Sequence, residues 1–242
     1  MNYGLILAGG VGQRMRSSGM PKQFLEVFGK PVIIYTLEKF EKCVDIDKYV
    51  IVCNASWIDH MEYLVKRSGL KKLLTVVPGG KNRQDSVKQG LIAIQENGSN
   101  PDDIIAIHDG VRPLVQIPII SENVRMAQKY GCAMTVKPVI ETVCVTPEEE
   151  VCFEDFKKRD DTYTLTAPQT FRLKILTETM AQMEKENPSS PILDAAIGYA
   201  YLGGKVHIVR ENNNNLKITT PEDYYIMKAL LELEENKVVF GI

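Results

Sequence analysis

Apolar positions fall into short blocks with two alternating periods. Tyr3–Leu7, Tyr49–Cys53, Leu73–Val77, Ile104–His108 and Ala133–Pro138 are brief runs rich in aliphatic residues, and they read as strands. Between them Val32–Lys42, Ile58–Arg67, Asp85–Gln95 and Pro118–Tyr130 read as helices. Strands alternating with helices predict an α/β chain, a doubly wound and mostly parallel sheet with helices on both faces. In such sheets ligands bind at the carboxyl ends of the strands. Three loops fall there: Ala8–Lys22, Gly79–Ser86 and Asp109–Pro113.

From Val139 to Thr166 the pattern changes. Thr142–Thr146 and Tyr163–Thr166 read as a β-ribbon, separated by a charged stretch, Glu148–Asp161. The segment is either an arm projecting from the core or an ordinary surface hairpin. Alternation resumes with helices at Leu173–Glu186 and Leu193–Leu202, a strand at Val206–Val209 and an asparagine loop, Asn212–Asn215. Thr220 caps the last helix, with Pro221 at its first position and Glu222 and Asp223 in its first turn. No linker composition interrupts the run, so residues 1–242 read as a single domain.

Composition narrows the functional classes. A net charge of −2 gives no global basic field for nucleic acid or a membrane surface. No apolar run approaches the roughly 20 residues of a membrane span. Five cysteines, Cys43, Cys53, Cys132, Cys144 and Cys152, show no C-x-x-C spacing. They read as free, mostly buried thiols of a reducing cytoplasm and not as a zinc site.

Candidate chemistry begins where the first strand ends, at Leu5-Ile6-Leu7-Ala8-Gly9-Gly10-Val11-Gly12-Gln13-Arg14. Glycine lets backbone approach a ligand closely, and free N–H groups beside fixed cations cradle phosphate. A Walker loop needs Gly-Lys before Ser or Thr, but Gly12 precedes Gln13 and Arg14. A dinucleotide loop needs a third glycine where Met15 stands, and a ribose acid where the second strand ends in Asn54. A nicotinamide dehydrogenase is disfavoured on both counts. Taken alone, a lone Gly-x-Gly equally fits a plain strand-to-helix turn.

Further motifs accompany it. Pro21-Lys22-Gln23-Phe24 follows the glycines, and Gly79-Gly80-Lys81-Asn82-Arg83-Gln84-Asp85-Ser86 is a second Gly-rich loop. His108-Asp109-Gly110-Val111-Arg112-Pro113 puts an acid and an arginine past a strand. Ala167-Pro168-Gln169-Thr170-Phe171 and Asn215-Leu216-Lys217-Ile218-Thr219-Thr220-Pro221-Glu222-Asp223 complete the set. Singly, Asp109 could be a cap, Arg112 its partner and Lys217 a solvated lysine.

In this order the motifs resemble those of the CTP-dependent cytidylyltransferases of polyol phosphates, from Tyr3 to about Ala229. The resemblance implies a Rossmann-like nucleotidyltransferase fold and a homodimer whose β-arms, at about 139–166, embrace. It also implies a divalent cation, usually magnesium. Carried over by position, Ala8, Gly9, Gly10 and Gly12 would wrap the CTP, and Arg14, Lys22 and Lys217 would act on its phosphates. Gly80 and Ser86 would lie by the cytosine, and Asp109 would sit at the metal and triphosphate. Arg112, Thr142 and Arg159 would contact the polyol phosphate, Arg159 from the partner's arm. The reading is CMP transfer from CTP to D-ribitol 5-phosphate, with 2-C-methyl-D-erythritol 4-phosphate as the alternative acceptor and a non-catalytic nucleotide-binding protein as a remote one. Ala167 and Leu193 stand where family members carry threonines of the acceptor pocket, Lys81 where an acid is frequent, and Asn214 where an aspartate is common. Leu7-Ala8-Gly9-Gly10, Ser56–His60 and Val111-Arg112-Pro113 lean towards the ribitol branch.

Overall fold

A computed structural model describes residues 1–10, 19–146, 149–150, 152–186, 194–211 and 215–240. The expected Gly12, Arg14, Leu193 and Asn214 lie outside these residues. The main sheet is built from β1 (Asn2–Ala8), β4 (Lys48–Cys53), β5 (Leu73–Pro78), β6 (Ile104–Asp109), β7 (Cys132–Pro138), β10 (Tyr163–Arg172) and β11 (His207–Arg210). Their order across the sheet is β11-β7-β10-β6-β1-β4-β5. All pairings are parallel except those of β10, which runs antiparallel to both β6 and β7.

Period-2 alternation sorts the strands' side chains between the two faces. Ile6, Ile51 and Ala106 face α1 (Val32–Lys42), α2 (Ile58–Arg67) and α4 (Ile117–Tyr130), where they meet Ile33, Phe40, Leu64 and Val124. Leu5, Val50 and Ile107 face α3 (Arg83–Glu96), α5 (Leu173–Glu186) and α6 (Ala195–Tyr201), where they meet Val87, Ile94 and Leu176. A third, smaller core packs α7 (Pro221–Phe240) through Met227 and Leu231 on Val27, Val32, Val111 and Ile218. Val27 belongs to β2 (Glu26–Val27), which pairs with β3 (Lys30–Pro31) in a small hairpin.

Chain order reverses about β1. From β1 the chain proceeds to β4 and β5 on one side, then returns to β6 on the other. The crevice between the carboxyl ends of β1 and β6 is therefore a topological switch point, the place where α/β sheets bind ligands.

The ribbon region departs from expectation. Only Val143–Cys144 (β8) is strand in its first half, and it pairs with Phe156–Lys157 (β9), inside the stretch read as merely charged. Tyr163–Thr166 is not the ribbon's second strand. It begins the ten-residue β10, which runs from the ribbon's root into the buried middle of the sheet. Pro168 hides this, because a proline inside an apolar run argues against a central strand. The structure accommodates it where the β10–β7 register shifts, between Leu165 and Gln169. At the root Tyr163 lies opposite Pro138, and Val139 N–H donates to Thr162 O at 3.2 Å.

Cys43, Cys53 and Cys132 are buried, while Cys144 and Cys152 are exposed on the ribbon. Among the described residues, no helix is long and apolar enough to cross a membrane.

Candidate functional site

The end of β1 is tied to the turn that carries Lys22. Gln23 is buried, and its Nε2 donates to Ala8 O at 2.6 Å. Next in sequence, Phe24 stacks on Trp57 with ring centroids 4.9 Å apart, and the His60 ring meets it edge-on at 5.0 Å. The turn Lys22–Phe24 is thus held on both sides, and Lys22 Nζ donates to Ile218 O at 2.7 Å. A Cβ placed on Gly9 or Gly10 would meet no described protein atom within 4 Å. Packing among the described residues therefore does not require glycine at these two positions.

Gly80 is different, since a Cβ there would lie 2.1 Å from Asp85 Cβ. Three bonds close this second loop. Asn82 caps α3 by accepting from Asp85 N–H at 2.9 Å. Ser86 Oγ donates to Asn82 O at 2.9 Å and accepts from Gly80 N–H at 3.2 Å. Ser86 therefore shapes the loop from within. Arg83, in the first turn of α3, reaches Asp194 Oδ1 at 3.4 Å, and Gln169 Nε2 donates to the same oxygen at 2.6 Å.

Asp109 ends β6 and is 8% exposed. Its Oδ2 receives Arg112 Nε at 3.0 Å and Lys217 Nζ at 3.1 Å. Arg112 NH1 also donates to Asn215 O at 2.8 Å, and Ile218 N–H to Val111 O at 3.0 Å, so the segment 215–218 lies along the loop 109–112. Gly110 makes room, because a Cβ there would be 2.6 Å from Ile33 Cδ1. Burial pushes the Asp109 carboxyl up, but Lys217, Arg112 and Arg83 together hold it well below the usual carboxylate range. The acid is ionised at neutral pH. His108, one residue earlier, is fully buried against Phe40, with ring centroids 5.2 Å apart, and its Nε2 lies 3.4 Å from Arg112 O. Burial pushes it down to about 4, so it is neutral at physiological pH.

Of the residues expected at one site, Ala8, Lys22, Asp109, Arg112 and Lys217 are brought together at the carboxyl ends of β1 and β6. Gly80 and Ser86 flank them at the end of β5. Thr142 and Arg159 are exposed on the ribbon and share no hydrogen bond or ion pair with the Asp109 cluster. Sequence reasoning quoted Gln23, Gln169 and Asn215 without giving them work. Their signal is polarity inside otherwise apolar or glycine-rich motifs. It passed over Glu211, an acid buried just before the asparagine run.

A divalent cation suits the site in one manner only. No group of three or more His, Cys, Asp or Glu side chains that could hold a metal occurs among the described residues. A magnesium ion, however, ordinarily takes one or two carboxylates and leaves its remaining positions to phosphate oxygens and water. The ionised Asp109 fits that single-carboxylate role.

Comparison with known proteins places these features in context. The family profile described as IspD, 2-C-methyl-D-erythritol 4-phosphate cytidylyltransferase, matches residues 3–233. The chain is 40% identical over 241 residues to the ribitol-5-phosphate cytidylyltransferase of Vibrio parahaemolyticus, covering 100% of both chains. It is 36% identical to the protein of that name from Lactiplantibacillus plantarum, covering 96% of this chain and 99% of the other. Among solved structures it resembles 4-diphosphocytidyl-2C-methyl-D-erythritol synthase from Anaerococcus prevotii, with TM-score 0.81, 22% identity and 96% coverage of each chain. It also resembles the Francisella tularensis 2-C-methyl-D-erythritol 4-phosphate cytidylyltransferase, with TM-score 0.74, 25% identity, and coverage of 94% and 99%.

Proposed function

This chain belongs to the 2-C-methyl-D-erythritol 4-phosphate cytidylyltransferase family and is a cytidylyltransferase, and from that premise we propose that its acceptor is D-ribitol 5-phosphate and its product CDP-ribitol. The geometric observation that supports the chemistry is the convergence of Arg112 and Lys217 on the buried Asp109. Support for the acceptor is the full-length similarity, at 36–40% identity, to relatives bearing that substrate in their names.

The reaction needs positioning and charge more than proton transfer. A phosphomonoester, with its second pKa near 6, is already ionised at pH 7, so its oxygen can attack the α-phosphorus of CTP in line without a base. Pyrophosphate leaves as the new P–O bond forms. Lys22 is tied to the 217–218 segment, and Lys217, Lys22 and Arg14 are assigned to the charge of the α-phosphate and the leaving group. Such fixed donors stabilise the charge that builds on the transferring group. Asp109 would hold magnesium together with phosphate oxygens, and the ion would supply further neutralisation of the triphosphate. Ala8, Gly9, Gly10 and Gly12 bring backbone to the nucleotide, and the turn closed by Gly80 and Ser86 lies at the base. Arg112 takes the acceptor's phosphate, with Thr142 and Arg159 supplied by the ribbon of the second subunit in a homodimer. The exposed thiols Cys144 and Cys152 suit a reducing cytoplasm.

Pyrophosphate release with CTP and magnesium, run in parallel with D-ribitol 5-phosphate and methylerythritol 4-phosphate, tests the reading. Turnover with ribitol phosphate is expected. Turnover with methylerythritol phosphate alone overturns the acceptor, and silence with both overturns both acceptors.

A further inference from the structure

Glu211 follows β11, is only 4% exposed, and has no part in the chemistry above. An acid among groups that collect two anions works against their uptake, so its presence needs a reason. Its surroundings supply one. Its backbone N–H donates to Val136 O at 2.9 Å, which prolongs the β11–β7 pairing. Its Oε1 accepts from Thr166 Oγ1 at 2.6 Å, where β10 passes from the ribbon's root into the sheet. Arg112 and Lys137 lie close enough to act on its charge. The residue after Thr166 carries the contact onward, since Ala167 O accepts from Asn215 Nδ2 at 2.6 Å and the Asn215 carbonyl receives Arg112 NH1 at 2.8 Å. Two residues further, Lys217 reaches Asp109.

We propose that Glu211 is a positioning residue that clasps Thr166, and with it the neighbouring Ala167 carbonyl on which Asn215 is held, and so sets Arg112 and the Lys217-bearing segment against the root of β10. The kinetic half of its test rests on the acceptor reading above; the exchange half does not. Glu211→Ala removes the clasp, whereas Glu211→Gln keeps an oxygen able to accept from Thr166 Oγ1.

Hydrogen exchange over residues 215–220 and steady-state kinetics are compared for the wild type and both variants, with Thr166→Val as a third should Glu211→Ala not fold. In Glu211→Ala, exchange over 215–220 quickens while α1 is unchanged. Acceptor kcat/KM falls about 10- to 100-fold, the scale of a lost hydrogen bond to a charged group, while the KM for CTP stays within about threefold. Glu211→Gln recovers most of both. Unchanged exchange in the alanine variant overturns the proposal, as does an equal loss in acceptor and CTP parameters, or a glutamine variant no better than alanine. A wild type inert towards polyol phosphates defeats the acceptor reading instead, and exchange still decides the clasp.

Discussion

Two residues show how burial and charge divide the labour at the end of β6. Asp109 and Lys217 form a cation–carboxylate contact beside a third charge, Arg112, so Lys217 is already fixed in place, as its proposed role at the α-phosphate requires. Lys217→Ala is expected to lower kcat about 100- to 1,000-fold, the scale of losing one electrostatic donor, in the pyrophosphate assay. A variant within tenfold of wild type would remove Lys217 from the chemistry. His108 acts on stability. Burial lowers its folded pKa from the ordinary 6.5 to about 4. The unfolded chain therefore takes up a proton that the folded chain refuses, and stability that is full above pH 6.5 is lost as pH falls towards 4. The loss is on the order of 3 kcal/mol over that window. Asp109 works in a lower range, because its depressed pKa keeps its stabilisation until pH drops below the ordinary 3.8. Chemical denaturation between pH 7 and 4 should show the slope in wild type and lose most of it in His108→Gln. A slope that survives the substitution would assign it elsewhere.

At the scale of elements, the turn Lys22–Phe24 owes its place to its neighbours. It is three residues long, too short to hold itself. Gln23 on Ala8 and Phe24 between Trp57 and His60 supply what the turn lacks. Trp57→Ala removes one offset aromatic stack, worth about 0.5–1.5 kcal/mol beyond burial, and should raise the KM for CTP about three- to tenfold while kcat changes little. An unchanged KM would show that Gln23 alone suffices. This dependence also explains what could be read from the chain in advance. Val32–Lys42 and Ile58–Arg67 form helices with the expected boundaries because each writes its buried face in its own periodicity. The loops at the carboxyl ends were legible as motifs through glycine and charge. Partners distant in sequence were not, since nothing local to Thr166 or Glu211 says that they meet. For the same reason β10 is read from sequence only as far as Thr166, short of Pro168, a residue tolerated only because the register shifts around it.

For the whole molecule, the ribbon is the feature on which the proposed homodimer rests. Val145, Phe153 and Phe156 are apolar and exposed on it, a costly display for a lone monomer. Sedimentation of the intact protein at micromolar concentration should show a dimer; a monomer would leave Thr142 and Arg159 with no partner site to serve. The backbone at the ribbon's root carries a separate consequence. Pro138 and Tyr163 are opposite each other in neighbouring antiparallel strands, with Val139 bonded to Thr162. Seen from the sheet, everything between them is a cassette spliced into the tip of a hairpin, and its removal would ask the flanking strands only for a tight turn. A chain in which Asn-Gly replaces residues 140–161 should keep its cooperative melt, since two-residue turns of that type suit antiparallel neighbours. The same graft should sediment as a monomer and bind CTP without turning it over. Scaffold and assembly device would then be separable parts, free to be exchanged among chains that share this sheet.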